Sequence, residues 1–251
     1  MPTDLELLEI EIETLWATDP RGRLVLDKKS RGWQGRKAPH LVIAVSDDGQ
    51  VAAIGSEVPD AVAVELQAAV AAEAPSPPST PPASIARYEQ LLKDALGPVE
   101  LSSGPGYVIP LATAFQSAAE IQRSDGESTE ALRNRVAEKA GWNSDEWNLL
   151  LDGSFGPWAV ATKGGQVIAI CHSARVTDRG AEAVVWTDPD FRGQGHAAAV
   201  TAAWASLLAP GGQHLFYSTS ADNTSSQGVA ARLSLRLIGW RWQLSTPPAA
   251  L

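Results

Sequence analysis

The chain has 251 residues, of which 44% are hydrophobic and 20% charged, a composition typical of a folded globular protein rather than a disordered one. Its net charge of −9 at pH 7 argues against a protein that tracks the phosphates of a nucleic acid. The single cysteine, Cys171, excludes an internal disulfide framework and a cysteine-based zinc site, and it fits a reducing cytoplasm.

No segment is typical of a membrane span or of a secretory signal. The longest apolar runs, such as residues 61–72, are rich in alanine and are interrupted by Glu65 and Gln67. Residues 1–13 are acidic where a signal peptide would be basic and then apolar. We therefore expect a cytoplasmic protein with no membrane partner.

Residues 1–74 have the pattern of a small α/β module whose role the sequence does not reveal. A hairpin is predicted where two β-rich segments, 41–45 and 51–54, flank a turn. Asp60 is expected to cap a helix that follows the hairpin. The acidic side chains near the N-terminus are interpreted as a solvated face: Glu6, Glu9, Glu11 and Glu13.

Residues 75–83 are predicted to be an extended surface linker. The segment 74–82 reads APSPPSTPP, with five prolines in nine residues. Proline fixes φ and lacks an N–H group, so this segment cannot join a sheet or the interior of a helix. The chain is therefore expected to divide into the module at 1–74, the linker, and a larger domain at 84–251.

The larger domain has alternating helical and β patterns. Helices are predicted over residues 85–96, 128–140 with Ser128 as the N-cap, 145–151, 195–208 and 225–235. Strands are predicted over residues 107–109, 158–162, 167–171, 183–187, 215–218 and 238–244. This mixture predicts an α+β fold with a mainly antiparallel sheet.

The segment with the clearest chemical character is the glycine-containing loop before the helix at 195–208. Gly193 and Gly195 allow the backbone to approach a ligand closely, and the free N–H groups of the first helical turn favour an anion there, most often a phosphate. Arg192 adds a positive charge beside the loop. A nucleotide-triphosphate loop is excluded because His196 and Ala197 stand where it needs Lys and Ser or Thr, and a dinucleotide fingerprint fits only loosely.

At this loop the sequence resembles the acetyl-CoA-dependent N-acetyltransferases of the GNAT superfamily. Their pyrophosphate loop runs Arg/Gln-x-x-Gly-x-Gly/Ala, which is matched by Arg192-Gly193-Gln194-Gly195-His196-Ala197. The preceding strand carries Val185 and Thr187, and residues 215–235 are similar to the family's next strand and helix. The strongest resemblance covers residues 156–244.

The resemblance implies a GNAT-like splayed sheet flanked by helices, with acetyl-CoA as co-substrate, an amine acceptor and no metal. It implies that the pantetheine arm pairs with exposed backbone groups of the strand at 183–187, as an added strand would. A backbone N–H of the same strand would polarise the thioester carbonyl. The implied cofactor-binding residues are Val185, Trp186, Thr187, Arg192, Gly193, Gln194, Gly195, His196, Ala197, Asn223 and Ser226, with His196 pointing to solvent.

The transfer of an acetyl group to an ammonium needs a base, for which Glu182 is the first candidate and His172 the second. A simple loop at 175–180 would place Ser173 opposite Glu182 and the two candidates on opposite faces of the sheet. The family's tyrosine general acid is absent, because Ala230 stands at its position. Protonation of the CoA thiolate would then fall to Tyr217, Ser218, Ser226 or water, and the sequence does not choose among them.

The tryptophans divide between core and site. Trp158, Trp186 and Trp204 are expected to pack the core, as is Cys171, which lies in the apolar run VIAIC. Trp142 and Trp147 lie in the region where the family's acceptor pockets usually lie, and they either wall the substrate site or pack the core.

The expected reaction is the transfer of an acetyl group from acetyl-CoA to a primary amine of a small molecule, by direct attack in a ternary complex. One alternative is an acetyl-CoA-binding sensor or interaction domain without fast catalysis. Another is a protein-amine acetyltransferase in which the acidic module recruits a basic segment. The oligomeric state is left open, with a homodimer as one option.

Overall fold

The computed structural model describes residues 2–28, 37–74, 76–126, 129–135, 137 and 140–248. Its helices are α1 (Asp4–Leu15), α2 (Asp60–Ala72), α3 (Ile85–Leu96), α4 (Glu130–Arg133), α5 (Ser144–Leu151), α6 (His196–Leu208) and α7 (Thr224–Arg232). Its strands are β1 (Trp16–Thr18), β2 (Leu24–Asp27), β3 (Leu41–Ser46), β4 (Gly49–Ile54), β5 (Glu100–Ile109), β6 (Glu120–Arg123), β7 (Trp158–Lys163), β8 (Gln166–Val176), β9 (Gly180–Thr187), β10 (His214–Ser218) and β11 (Arg236–Ser245).

Nine of these strands form one sheet in the order β4-β3-β11-β5-β10-β9-β8-β7-β6, and β1 and β2 form a separate antiparallel pair. Every ladder of the large sheet is antiparallel except the one between β10 and β9. The prediction of an α+β fold with a mainly antiparallel sheet is thus confirmed.

Helices cover both faces of the sheet. Side chains alternate along a strand, so residues that pair across a ladder share a face. One face, which includes Cys171 and Ile43, packs against α2, α3, α6 and α7, and we call it the α6 face. The opposite face, which includes Phe216 and Val160, packs against α1, α4 and α5, and we call it the α1 face.

The sheet is splayed at its only parallel ladder. Strands β9 and β10 pair at three positions, and the last pair is Phe216 with Glu182. Strand β9 then continues to Thr187 with β8 on one side only. The backbone of residues 183–187 therefore faces a gap between two diverging strands, as the resemblance to the GNAT superfamily implied.

The N-terminal residues belong to the same sheet as the rest of the chain. The predicted hairpin is formed by β3 and β4, and β3 pairs along five residues with β11, the last strand of the chain. The proline-rich segment forms neither helix nor strand in its described part, but it packs on the sheet: Pro82 is buried, and the indole N–H of Trp242 donates to the carbonyl of Pro78 at 3.1 Å. The division into module, linker and domain stays a prediction.

Helix α1 corrects the interpretation of the acidic N-terminus. A capping box between Thr3 and Glu6 starts the helix, and its apolar side chains pack against the α1 face of β3 and β10. Glu11 is fully buried rather than solvated. It lies 3.1 Å from Arg241 of β11, a partner that is remote in the sequence.

Other elements differ from the predictions in extent. Among the described residues of the helix expected at 128–140, the α-helical ones are those of α4; its expected N-cap, Ser128, lies outside the described residues, as do residues 136, 138 and 139. Strand β5 is ten residues long and begins at Glu100, well before the predicted start, and β6 was not predicted. Trp158, Trp204 and Cys171 are buried as expected, whereas Trp186 is only partly buried.

Candidate functional site

The glycine-containing loop leads directly into α6. Gly195 is the N-cap of this helix with φ of 87°, and Gly193 has φ of 78°, a left-handed conformation that side chains with a Cβ rarely adopt. No side chain caps the helix, so its first N–H groups are free to meet a ligand. This geometry suits an anion such as a phosphate.

The loop forms one wall of a groove on the α6 face. The groove has a volume of about 550 Å³ and lies between the loop, the end of β9, Tyr217 of β10, and α7. All of the predicted cofactor-binding residues line it except Gln194: Val185, Trp186, Thr187, Arg192, Gly193, Gly195, His196, Ala197, Asn223 and Ser226. The structure therefore brings together residues that are up to about forty positions apart in the sequence.

Two of the predicted cofactor-binding residues also make contacts that support the walls of this groove. Asn223 is the N-cap of α7, and its side-chain oxygen accepts a hydrogen bond from the backbone N–H of Ser226 at 3.0 Å. His196 does not point to solvent: it is buried, and its Nδ1 lies 2.7 Å from the hydroxyl of Ser117. Burial lowers the pKa of His196, and the nearby Lys163 lowers it further. A neutral histidine here supports the loop from beneath.

Three groove-side residues were not found by the sequence analysis. Arg232, in the last turn of α7, lines the groove and donates to the carbonyl of Gly193 at 3.4 Å. Lys163 lies 5.8 Å from the ring centroid of Phe191, which also lines the groove. Phe115 contacts the loop so closely that a Cβ built on Gly195 would lie 3.0 Å from its ring. Arg232 shares a face of α7 with Ser225 and Gly228, which also line the groove, but the sequence analysis had identified neither of them.

A second cavity, of about 450 Å³, lies on the α1 face of β8 and β9. We call it the acceptor cavity, after the role that is proposed for it below. Its walls are largely apolar and aromatic, and its lining residues are Ala140, Gly141, Trp142, Glu146, Phe155, Ile170, His172, Ala174, Arg175, Val184 and Trp186. Trp186 lines both this cavity and the groove, so the two spaces meet at the free part of β9. Trp147, in contrast, is fully buried in the core.

The two base candidates lie on the same face of the sheet, not on opposite faces. A bulge between Ser173 and Arg175 shifts the register by one residue, so that Ser173 pairs with Ala183, His172 with Val184, and Arg175 with Glu182. The expected pairing of Ser173 with Glu182 is therefore wrong. The extra residue at the bulge is what turns His172 toward the side of Glu182.

The environments of the two candidates differ. His172 lies on the wall of the acceptor cavity, 5.4 Å from Trp142 between ring centroids, and its Nδ1 has no hydrogen-bond partner among the described residues. Burial lowers the pKa of His172 to about 4, so the ring is neutral at pH 7. Glu182 is buried, forms an ion pair with Arg175, and accepts a hydrogen bond from Ser218 at 2.9 Å.

Arg175 is held by carboxylates on two sides. Besides its ion pair with Glu182, it lies 2.5 Å from Asp27, and all three side chains are largely buried. Asp27 ends β2, so the N-terminal residues supply a partner to Arg175, which lines the acceptor cavity. The positive charge of Arg175 is therefore already met by two carboxylates.

Tyr217 lies on the groove side of the sheet. It is buried, and this burial raises the pKa of its hydroxyl to about 12, although hydrogen bonding with Ser226 acts in the opposite direction. The hydroxyl therefore stays protonated near neutral pH and can donate a hydrogen bond or a proton into the groove. Ala230, at the position of the family's tyrosine, is buried in the core.

Cys171 should be inert to thiol reagents in the folded protein. It is fully buried, and burial raises the pKa of its thiol. We expect an aromatic disulfide reagent to titrate no thiol in the native protein and one thiol per chain in denaturant. Rapid reaction of the native protein would contradict the packing of β8 against α6. The expected result also means that a thiol assay for released CoA has no protein background.

Within the described ranges, no group of three or more His, Cys, Asp or Glu side chains is arranged to hold a metal ion. None of the helices that the structure describes is both long and apolar enough to cross a bilayer.

No curated protein matches this chain. Among solved structures, it is similar to a putative acetyltransferase from the GNAT family from Novosphingobium aromaticivorans, with 18% identity and a TM-score of 0.43, and the match covers 59% of this chain and 66% of that one. It is also similar to an acetyltransferase from the GNAT family from Colwellia psychrerythraea, with 18% identity and a TM-score of 0.46, and the match covers 64% of this chain and 62% of that one. It thus spans less than two thirds of either protein. A third similar structure is a GCN5-related N-acetyltransferase from Kribbella flavida, with 17% identity and a TM-score of 0.49, and the match covers 100% of this chain and 98% of that one.

The family assignment rests on a sequence model rather than on these distant structures. The model of the acetyltransferase (GNAT) domain matches residues 109–236, just over half of the chain. The matched range includes β9, the glycine-containing loop, α6, β10 and α7, which are the elements that build the groove. The chain therefore belongs to the GNAT acetyltransferase family.

Proposed function

We propose that this protein transfers the acetyl group of acetyl-CoA to a primary amine of a small molecule, by direct attack while both substrates are bound. The observation that carries the proposal is the pair of spaces on opposite faces of the splayed sheet, which meet at Trp186. One space suits a phosphate-bearing donor and the other a small organic acceptor. Two substrates that approach a strand from its two faces can react without a covalent enzyme intermediate.

The groove residues fit acetyl-CoA as the acyl donor. The free N–H groups at the start of α6 and the side chains of Arg192 and Arg232 would bind its phosphates. The free backbone of residues 183–187 would pair with the pantetheine arm, and an N–H group of this strand would polarise the thioester carbonyl.

The proposed step forms one bond and breaks one. The amine nitrogen attacks the thioester carbon, a C–N bond forms, the C–S bond breaks, and CoA leaves as its thiolate. The ammonium proton must be accepted on the cavity side, and the thiolate must be protonated on the groove side. Tyr217, whose pKa of about 12 keeps its hydroxyl protonated, is the proposed donor to the thiolate.

His172 is the better-supported acceptor of the amine proton. It lines the acceptor cavity, whereas Glu182 is engaged by Arg175 and Ser218 and does not line the cavity. A base whose pKa is about 4 is weak. It suffices because the nitrogen becomes strongly acidic as the C–N bond forms, and because the same burial lowers the pKa of a bound ammonium.

A His172→Gln variant should lower kcat by about 100-fold or more and leave the affinity for acetyl-CoA unchanged, since the loss is that of a general base. In the unchanged enzyme, kcat/KM should rise with pH through the pKa of the amine alone, because His172 is already neutral above about pH 5. The measurement is a steady-state pH profile. Glu182→Gln is the comparison: a larger loss in this variant than in His172→Gln would return the base role to Glu182.

The primary test of the function combines binding and turnover. Acetyl-CoA at 100 times its dissociation constant should stabilise the protein by about 2.7 kcal/mol, which is readily seen as a rise in Tm. CoA release should then be measured across a panel of amines. No stabilisation by acetyl-CoA would contradict the proposal.

One observation favours a second candidate, an acetyl-CoA-binding module without fast chemistry. Ala230 occupies the position of the family's tyrosine and is buried in the core, so it offers no proton. The enzyme and the binding module differ in the expected CoA release across the amine panel. Stabilisation by acetyl-CoA without CoA release for any amine would support the binding module.

A further inference from the structure

The walls of the acceptor cavity select for an apolar body. Three aromatic side chains, Trp142, Phe155 and Trp186, surround the space with Ile170 and Val184. Its volume of about 450 Å³ is toward the lower end of the range for small-molecule sites. Desolvation of several charged or hydroxyl groups against these walls would cost binding energy, because few polar partners face them.

The charges around the cavity favour a cation and oppose a carboxylate. Among the lining residues, Arg175 is the only cation and Glu146 the only acid, while His172 is neutral. The positive charge of Arg175 is already met by two buried carboxylates, those of Asp27 and Glu182. Together with these two carboxylates, which lie behind Arg175, the described charged groups sum to a net negative charge, and no unpaired cation among the lining residues is available for an acidic substrate.

The opposite face has the opposite polarity. The groove is bordered by Arg192 and Arg232, with Lys163 beside Phe191. An acceptor with a carboxylate would be drawn to the groove side and repelled from the cavity, whereas a monoamine would be drawn to the cavity. Aromatic faces such as those of Trp142 and Trp186 can also attract an ammonium group.

We propose that the acceptor is a compact primary monoamine with an aromatic or bulky apolar body and no carboxylate, an arylalkylamine being the simplest case. This inference rests on the proposed function and names the substrate class of the same site. It distinguishes such amines from amino acids, from polyamines, whose further charges would meet apolar walls, and from lysine side chains of proteins.

The sharpest test compares phenethylamine with phenylalanine, which differ only by the α-carboxylate. We expect kcat/KM for phenethylamine to exceed that for phenylalanine by at least about 100-fold, because the carboxylate finds no free cation in the cavity. Spermidine and a lysine-containing peptide complete the panel, and both should be poorer acceptors than phenethylamine. Equal or faster acetylation of phenylalanine, spermidine or the peptide would overturn the inference while the proposed function stands.

A cavity-filling variant ties the preference to this site. Val184→Trp should abolish phenethylamine acetylation and leave acetyl-CoA binding intact, because Val184 lines the cavity and not the groove. Val64→Trp, at an exposed position of α2, is the matched control and should retain activity. Full activity in Val184→Trp would show that the amine binds elsewhere.

A binding measurement that does not require turnover shows whether the proposed function or the inferred substrate class has failed. Saturation-transfer NMR should detect phenethylamine on the unchanged protein in the absence of acetyl-CoA, and the signal should disappear in Val184→Trp. If phenethylamine binds but no amine is acetylated, the proposed function fails and the assignment of the cavity stands. If phenethylamine does not bind and another amine class is acetylated, the inference fails and the proposed function stands.

Discussion

Acetyl-CoA should bind at least about 100-fold more weakly to a Gly195→Val variant than to the unchanged protein, a loss of about 2.7 kcal/mol. Gly195 has φ of 87°, where a β-branched residue is strained, and it lines the groove. A Cβ at this position would lie 3.0 Å from the ring of Phe115, so the ring or the loop must shift by a few tenths of an ångström. The displaced N–H groups at the start of α6 would then no longer converge on a phosphate.

Isothermal titration with acetyl-CoA measures the loss of affinity. A variant at a second glycine, Gly22, is the control for the effect of backbone strain alone. Gly22 has φ of 77° and no atom within 4 Å of a built Cβ, and it lies in a turn of the N-terminal residues. Gly22→Val should cost stability through strain, about 1–3 kcal/mol, without a change in acetyl-CoA affinity. Retained binding in Gly195→Val would remove the loop from the donor site.

The groove that we propose for the donor could be predicted because most of its residues are close in sequence. The loop at 192–197 and the strand before it are continuous, and the local geometry of two glycines before a helix is a backbone property. The predicted residues accordingly line one groove, apart from Gln194. Arg232 and Phe115 were missed because they reach the loop only through the tertiary fold.

The acceptor side could not be predicted in the same way. Its geometry depends on one extra residue in β8, near Ala174, which sets the face on which His172 lies. Its charge depends on Asp27, which is 148 positions from Arg175 in sequence. Neither feature has a sequence pattern, because a bulge and a long-range ion pair are decided by packing.

The burial of Glu11 in the N-terminal helix could not be predicted from the sequence either, because it too depends on tertiary packing. The glutamates at positions 6, 9, 11 and 13 look alike in the sequence, but Glu11 alone points at Gly106, where a Cβ would lie 2.9 Å from its carboxylate. The missing side chain at Gly106 makes room for this carboxylate, and Arg241 supplies the charge. A solvated face was the reasonable expectation for a helix whose partners lie about 95 and 230 positions away.

That buried pair leads to the largest expected effect on stability. An Arg241→Met variant should be less stable than the unchanged protein by about 3 kcal/mol at pH 7.5. Glu11 is fully buried, and neither of its oxygens has a hydrogen-bond partner in the described part of the chain, so the ion pair at 3.1 Å is its main compensation. Urea unfolding gives the free energy directly.

Arg236→Met is the matched control, because Arg236 also lies on β11 and also pairs with an acid of α1, Asp4. That pair is substantially exposed, and its loss should change stability by less than about 1 kcal/mol. A double variant, Glu11→Met with Arg241→Met, should recover most of the stability because no uncompensated charge remains. Equal effects of the two arginine variants would show that burial does not decide the outcome.

The pH dependence of stability provides an independent check that the loss in Arg241→Met comes from the charge of the buried pair. Burial raises the pKa of Glu11 from 4.5 to about 6, against the attraction of Arg241, and the charge of Glu182 raises it further. The folded state therefore binds this proton more tightly than the unfolded state, and stability falls by roughly 2 kcal/mol as the pH rises from about 4.5 to above 6. Without Arg241 the pKa of Glu11 rises again, so the variant should lose most stability at pH 7.5 and little at pH 5. A pH-independent loss would mean that Arg241 acts through its packing on Trp16, from which its guanidinium lies 5.8 Å, rather than through its charge.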